Sequence, residues 1–147
     1  MIMTFVSKTA ATLITTLFMC FSAFAQSTEA PLELRSGAQA VIDSQISAFR
    51  AQDHAKAFSH AAPSLQKIFG STDRFIGMVK NGYGAIYNAR NWDFGRSGMQ
   101  NDTLYQEVNI IGPFGKNWSA LYTMKKGADD VWRIHGVQMR EGNAQST

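Results

Sequence analysis

Thiol chemistry is almost missing from this chain. Its 147 residues include one cysteine, Cys20. That cysteine falls inside an apolar run from about Ala10 to Phe24, which follows Lys8 and ends in "AFAQ". Ala23 and Ala25 occupy the two small-residue positions that signal peptidase requires, so residues 1–25 read as a leader cleaved after Ala25. The run is shorter than the roughly 20 apolar residues a spanning helix needs, which argues against a membrane anchor. Lipidation of Cys20 would need a small residue before it, and Met19 stands there. Loss of the leader removes the only thiol. The mature chain is then expected to carry no disulfide, no thiol nucleophile and no thiolate metal site, and to rely on apolar packing despite an oxidising destination.

Other absences narrow the function. Lysine and arginine total 14 against 11 aspartate and glutamate, and they are scattered, with Lys125-Lys126 the one adjacent pair beyond the leader. A nucleic-acid surface would concentrate them in a stripe with interleaved aromatics, so no nucleic-acid partner is expected. There is no repeat, no low-complexity tract and no later apolar run, so no stable membrane insertion is expected after cleavage. His54 and His60 lie roughly 240° apart around a helix axis and cannot share a metal. With no HxH or HxxxH spacing, no metal and no cofactor are expected.

What remains is strongly periodic. Residues 26–35 read as a flexible lead-in, 36–140 as one α+β domain, and 141–147 as a polar tail. Ser36 and Gln39 have capping-box spacing, and Ala38, Val41, Ile42, Ile46 and Phe49 follow on one helical face. Asp53 caps a second helix with Phe58, Ala61 and Ala62 inward, ended by Pro63. "SLQKIFG" reads as a helical turn stopped by Gly70. Ser71 or Thr72 caps a third helix carrying Phe75, Met78 and Val79, which Gly82 stops.

After residue 88 the period becomes two. Trp92 and Phe94 mark a first strand, Gln106, Val108 and Ile110 a second, Trp118, Ala120, Tyr122 and Met124 a third, and Val131 to Met139 a fourth. "GPFGK" and "KGADD" are the turns after the second and third strands. Three helices followed by four hairpin-connected strands predict helices packed on one face of a four-stranded antiparallel sheet.

The stretch "VIDSQISAFRAQDHAKAFSHAAPSLQKIFGSTDRFIGMVKNGY", followed by "YNARNWDF", "QEVNI", "WSALYTM" and "WRIHGV", resembles a family of small exported bacterial domains of unknown function. The family sits within the cystatin-like, nuclear-transport-factor-2-like superfold. The resemblance implies a curved sheet wrapped around a long first helix as a cone, often with a pocket and often in a homodimer. It implies no reaction, because that superfold hosts isomerases, dehydratases, transport adaptors and pure binding domains.

An enzyme of this shape needs an inward acid or imidazole beside a donor. Asp93 lies between Trp92 and Phe94 and is expected to point outward. His135 shares strand parity with Val131 and Arg133 and is expected in solvent, with Gly136 as a bulge returning Val137 and Met139 to the core. No catalytic residue is therefore assigned. The candidate pocket residues are Tyr83 and Tyr87 at the helix-to-strand handover, Tyr122 and Trp118 on the inner face of the third strand, and Gln106, a buried amide to which a tyrosine hydroxyl would serve as partner. The leading reading is an exported, periplasmic protein that binds a small molecule or protein without catalysis. One alternative is a cofactor-free isomerase or lyase using His135 or Asp93 with a tyrosine. Another is an interaction module without a pocket.

Overall fold

The computed structural model describes residues 29–142; the leader, Cys20 and the last five residues of the tail lie outside them. The chain folds as α1 (Leu32–Arg50), α2 (His54–Ser59), α3 (Pro63–Phe69), α4 (Thr72–Gly82), α5 (Gly84–Tyr87), β1 (Asn91–Gln100), β2 (Thr103–Ile111), β3 (Asn117–Lys126) and β4 (Trp132–Glu141), with one turn of 3-10 helix at Pro113–Gly115. The strands form one open antiparallel sheet in the order β1-β2-β3-β4. The α+β class and the four strands agree with the periodicity. The helices number five among the described residues, against the three expected.

The helical differences have local causes. α1 starts at Leu32, inside the expected lead-in, because Leu34 extends the apolar stripe of Ala38, Ile42 and Ile46 one turn upstream and packs on the core. Ser36 is consequently interior to the helix, where its hydroxyl donates to the carbonyl of Glu33, and Gln39 turns to the sheet instead of closing a capping box. Pro63 begins α3 rather than ending α2, since a missing N–H costs nothing in a first helical turn. Asp53 and Ser71 cap α2 and α4 by accepting from the backbone N–H of Lys56 and Arg74. Gly70 ends α3 in the left-handed region at φ 74°, which a side chain would oppose.

The link between α2 and α3 also pairs with the start of the free edge of β4, at Ile134. The N–H of Ile134 donates to the carbonyl of His60 and the N–H of Ala62 donates to the carbonyl of Ile134, both at 2.9 Å, making a short parallel bridge. This ties up the edge groups of that one residue and seats the helical layer against the sheet. On the inner face Leu104, Val108, Ile110, Ala120, Tyr122, Met124, Trp132 and Ile134 are buried against α1. Trp132 lies so close to α1 that a Cβ added at Gly37 would sit 3.0 Å from its ring nitrogen, so that helix position admits glycine best.

Two bulges bend the sheet. In β1, Gly95 and Arg96 together oppose Glu107, between the pairs Phe94–Val108 and Ser97–Gln106. In β4 the extra residue is His135, between Gly136 opposite Thr123 and Ile134 opposite Met124. An extra residue restores inward parity after it, and Val137 and Met139 do pack against the core. The bulge thus falls one residue earlier than the glycine suggested.

Candidate functional site

Bending the sheet away from the short helices leaves a cavity of about 230 Å³ between α1, α3, α4, α5 and the inner face of β3 and β4. Its floor is fully buried and includes Gln45 and Phe49 from α1, Phe75 from α4, and Tyr122 from β3. Half-buried residues form its mouth: Leu65 and Phe69 of α3, Met78 of α4, Tyr83, and Val137 of β4. None of the lining residues is charged.

The polar groups in this wall are few and unequal. The side-chain amide of Gln45 donates to the carbonyl of Ala57 at 3.2 Å, and the hydroxyl of Tyr83 donates to the carbonyl of Val137 at 3.0 Å. Tyr122 is 0 % exposed and its hydroxyl has no partner. Burial raises that phenol well above its ordinary pKa, so it stays protonated and able to donate. Buried polar groups are normally hydrogen-bonded, and an orphan of this kind leaves the folded state bearing its desolvation. Among the described residues one other buried side-chain oxygen or nitrogen lacks a partner, Ser97 Oγ beside the β1 bulge.

The five candidate residues separate. Tyr83 and Tyr122 both line the cavity. Tyr87 does not: its hydroxyl is 2.9 Å from His54 Nε2, its ring packs on Phe49 with centroids 5.7 Å apart, and Lys80 lies over it at 5.2 Å. Trp118 is removed as well. It covers Gly112 at the hairpin end of the sheet, with Lys116 Nζ 5.3 Å from its ring.

Gln106 is a structural staple rather than a pocket group, and no tyrosine is its partner. Its amide nitrogen lies 2.8–3.3 Å from the carbonyls of Gly95, Arg96 and Glu107, which share its two N–H donors, and its oxygen accepts from Gln39 at 3.0 Å. A bulge interrupts ladder pairing, and this side chain replaces the lost partners while tying the bulge to α1.

Neither residue weighed as a base reaches the cavity. Asp93 is exposed and accepts from Asn109 Nδ2 at 3.0 Å on the outer face of the sheet. His135, though it is the bulge residue, is also exposed on that face. Partial burial lowers its pKa, with Lys125 and Arg133 adding to the shift and Asp102 opposing it. The same face carries a wider open depression of about 910 Å³, lined in part by Tyr105, Glu107, Leu121 and Arg140. Glu107, its central charge, is already engaged: Ser119 Oγ donates to it at 3.2 Å, and Arg96 and Arg140 lie 3.4 and 3.8 Å away. The smaller inner cavity, apolar and uncharged, is the better candidate site.

Leu65, Phe69 and Gln45 are site residues that reading the sequence missed. A signal existed for Gln45, an amide on the apolar stripe of α1 between Ile42 and Phe49, of the same kind that singled out Gln106. Leu65 and Phe69 gave none, because a short helix discloses no preferred face. Among the described residues no group of three or more histidine, cysteine, aspartate or glutamate side chains is placed to hold a metal ion, and no helix is long and apolar enough to cross a membrane.

Fold and site together define an α+β domain with an uncharged, half-open cavity between its helices and a bulged sheet. The chain belongs to the family described as Domain of unknown function (DUF4864), whose model matches residues 33–147. Comparison with curated proteins and with solved structures returned no match.

Proposed function

We propose that this is an exported domain that binds a small, largely apolar molecule in the cavity between its helices and sheet, without catalysing a reaction on it. One observation carries the reading: an uncharged, mostly apolar cavity of about 230 Å³, open at one side between α3, α4 and β4 and lined by Phe49, Phe69 and Phe75. Ligand sites in general combine apolar walls with a few placed polar groups. A protein selected for stability alone would gain by filling such a space and by replacing an orphan hydroxyl. The cystatin-like, nuclear-transport-factor-2-like cone is part of the proposal. In support of it are the long α1 lying against the sheet, the two bulges and the mouth between α3, α4 and β4. Export rests on the leader, with the mature chain starting at Gln26.

Native mass spectrometry of protein recovered from the periplasm tests both parts. The expected species starts at Gln26 and carries a noncovalent small-molecule adduct that is lost when Val137→Phe fills the cavity. Protein that retains Cys20 or carries a lipid overturns export. Adduct-free protein at every gentle ionisation setting, with no melting shift from a library of small neutral compounds, overturns binding.

A further inference from the structure

We propose that the outer face of the sheet carries a second site, in which Arg96 and Arg140 take the carboxylate of a small organic acid. It lies across the sheet from the apolar cavity and does not depend on it.

The site begins with a glycine and a bulge. The strand register sets Glu107 of β2 opposite Leu121 of β3, and Ser119 of β3 opposite Arg140 of β4. All four line the wide depression on that face, and Arg96 enters it from β1. Glu107 can lie in its floor because Gly95 faces it: a Cβ there would stand 3.2 Å from both Cγ and Oε2 of Glu107. Arg96 is the second residue of the bulge, and a bulge re-aims the side chain it carries. The Gln106 amide, bonded to the carbonyls of Gly95 and Arg96, holds that bend. Arg140 starts two strand spacings from β2, roughly 10 Å away. Its Nη2 nevertheless reaches within 3.8 Å of Glu107 Oε1. Two arginines from opposite edge strands thus lean over one carboxylate instead of extending separately into water.

The charges do not cancel. Four charged residues line the depression, Glu29, Arg96, Glu107 and Arg140. Glu29 is paired with Arg35, which leaves Glu107 alone against two guanidinium groups, one positive charge in excess. The Glu107 side chain is 20 % exposed, and those of Arg96 and Arg140 are 91 and 76 % exposed. The acid is therefore at the bottom, with the arginines standing over it. Arg96 is engaged through Nε; among the described residues, its two terminal nitrogens and the guanidinium of Arg140 donate no hydrogen bond.

Such a fork presents parallel N–H groups in the geometry that a carboxylate accepts. One excess charge suits one negative charge. Beside the arginines Leu121 is 39 % exposed, and Gly98, opposite Tyr105, has no side chain to cover that ring. A bare inorganic ion would leave this apolar flank unused. The complementary molecule is a monocarboxylate on an apolar body.

3-Phenylpropionate, its neutral amide and the dianion phenyl phosphate separate these features. Binding to the exported chain is read from the backbone amide NMR shifts of Gly98, Ser119 and Leu121. The acid is expected to bind about tenfold more tightly than the amide, the value of one hydrogen bond to a charged group, and phenyl phosphate no more tightly than the acid. Arg96→Gln and Arg140→Gln should each weaken the acid about tenfold while changing the amide less than about twofold. Added salt should weaken the acid and not the amide. Val137→Phe, which fills the cavity on the other face, should change neither.

Equal affinities for acid and amide, undiminished acid binding in both arginine variants, or tighter binding of phenyl phosphate would overturn the assignment. Loss of acid binding in Val137→Phe would place the acid in the inner cavity, overturning this site while supporting that one. An acetylated dipeptide ending in a free phenylalanine carboxylate distinguishes a chain end from a small acid. Peptide binding with phenylpropionate silent would overturn the small-acid reading. The comparison of the three compounds on the wild-type chain stands even if a variant folds poorly.

Discussion

Replacing Tyr122 by phenylalanine should make this protein more stable. Tyrosine-to-phenylalanine changes in a core usually cost about 1 kcal/mol, because the lost hydroxyl had a partner that is left unsatisfied. Here the hydroxyl is fully buried and unpartnered, so the folded state already bears its desolvation, about 1–3 kcal/mol. Removing one oxygen recovers most of that and opens only a very small void, while the ring keeps its place among Ile46, Leu104 and Met124 in the same buried cluster. A gain of about 1 kcal/mol corresponds to a rise in melting temperature of roughly 3–6 °C for a domain of this size. Thermal melting without added ligand would read it, and urea unfolding should show a higher midpoint with an unchanged slope. A fall of several degrees would show that the hydroxyl is satisfied in the folded protein. A rise would show that the folded state bears the cost of an unsatisfied buried hydroxyl.

Other positions test the rest of the structure. Trp132→Ala removes a buried ring that closes the sheet against Gly37 of α1, and should cost about 3–5 kcal/mol, read as a large drop in melting temperature; a shift of a degree or two would place that ring outside the core. His135→Gln should leave stability within about 0.5 kcal/mol and ligand binding unchanged, because the imidazole stands on the outer face; an imidazole NMR signal that responds to a small neutral compound shifting the cavity residues would contradict this. His60, whose Nε2 is 2.9 Å from Ser44 Oγ, has its pKa lowered by burial and then by Lys56. The unfolded chain therefore takes up this proton first as pH falls, so the associated stability is complete above about pH 6.5 and declines below it. Urea midpoints between pH 7 and 5 should fall less steeply in His60→Gln than in wild type, and parallel slopes would refute the assignment.

The physical reach of sequence reading differs from residue to residue. Helical and alternating periods identify the elements because a buried face must repeat with the backbone: Ile42 and Ile46 on α1, and Val108 and Ile110 on β2, were legible for that reason. So were the caps at Asp53, Gly70 and Ser71, which answer local backbone needs. Strand parity was enough to direct Asp93 outward, and it gave the correct side for His135 although the bulge lies one residue away from where the glycine suggested. Partners distant in sequence were not legible. Gln106 announced itself as a buried amide, yet that it serves Gln39 and the β1 bulge depends on a register that only the folded sheet defines. Tyr83, Tyr87, Trp118 and Tyr122 look equivalent as aromatics near the helix-to-strand handover and the third strand. The tertiary structure turned Tyr87 to His54 and Trp118 to Gly112, and brought Tyr83 and Tyr122 into one wall. A cavity is the volume that separately packed elements fail to fill, so no local pattern encodes it. The chain alone determined the four strands, the main helical segments and the faces they bury; the bends at two bulges and the seating of a short helix with no buried residue decided where the space would be.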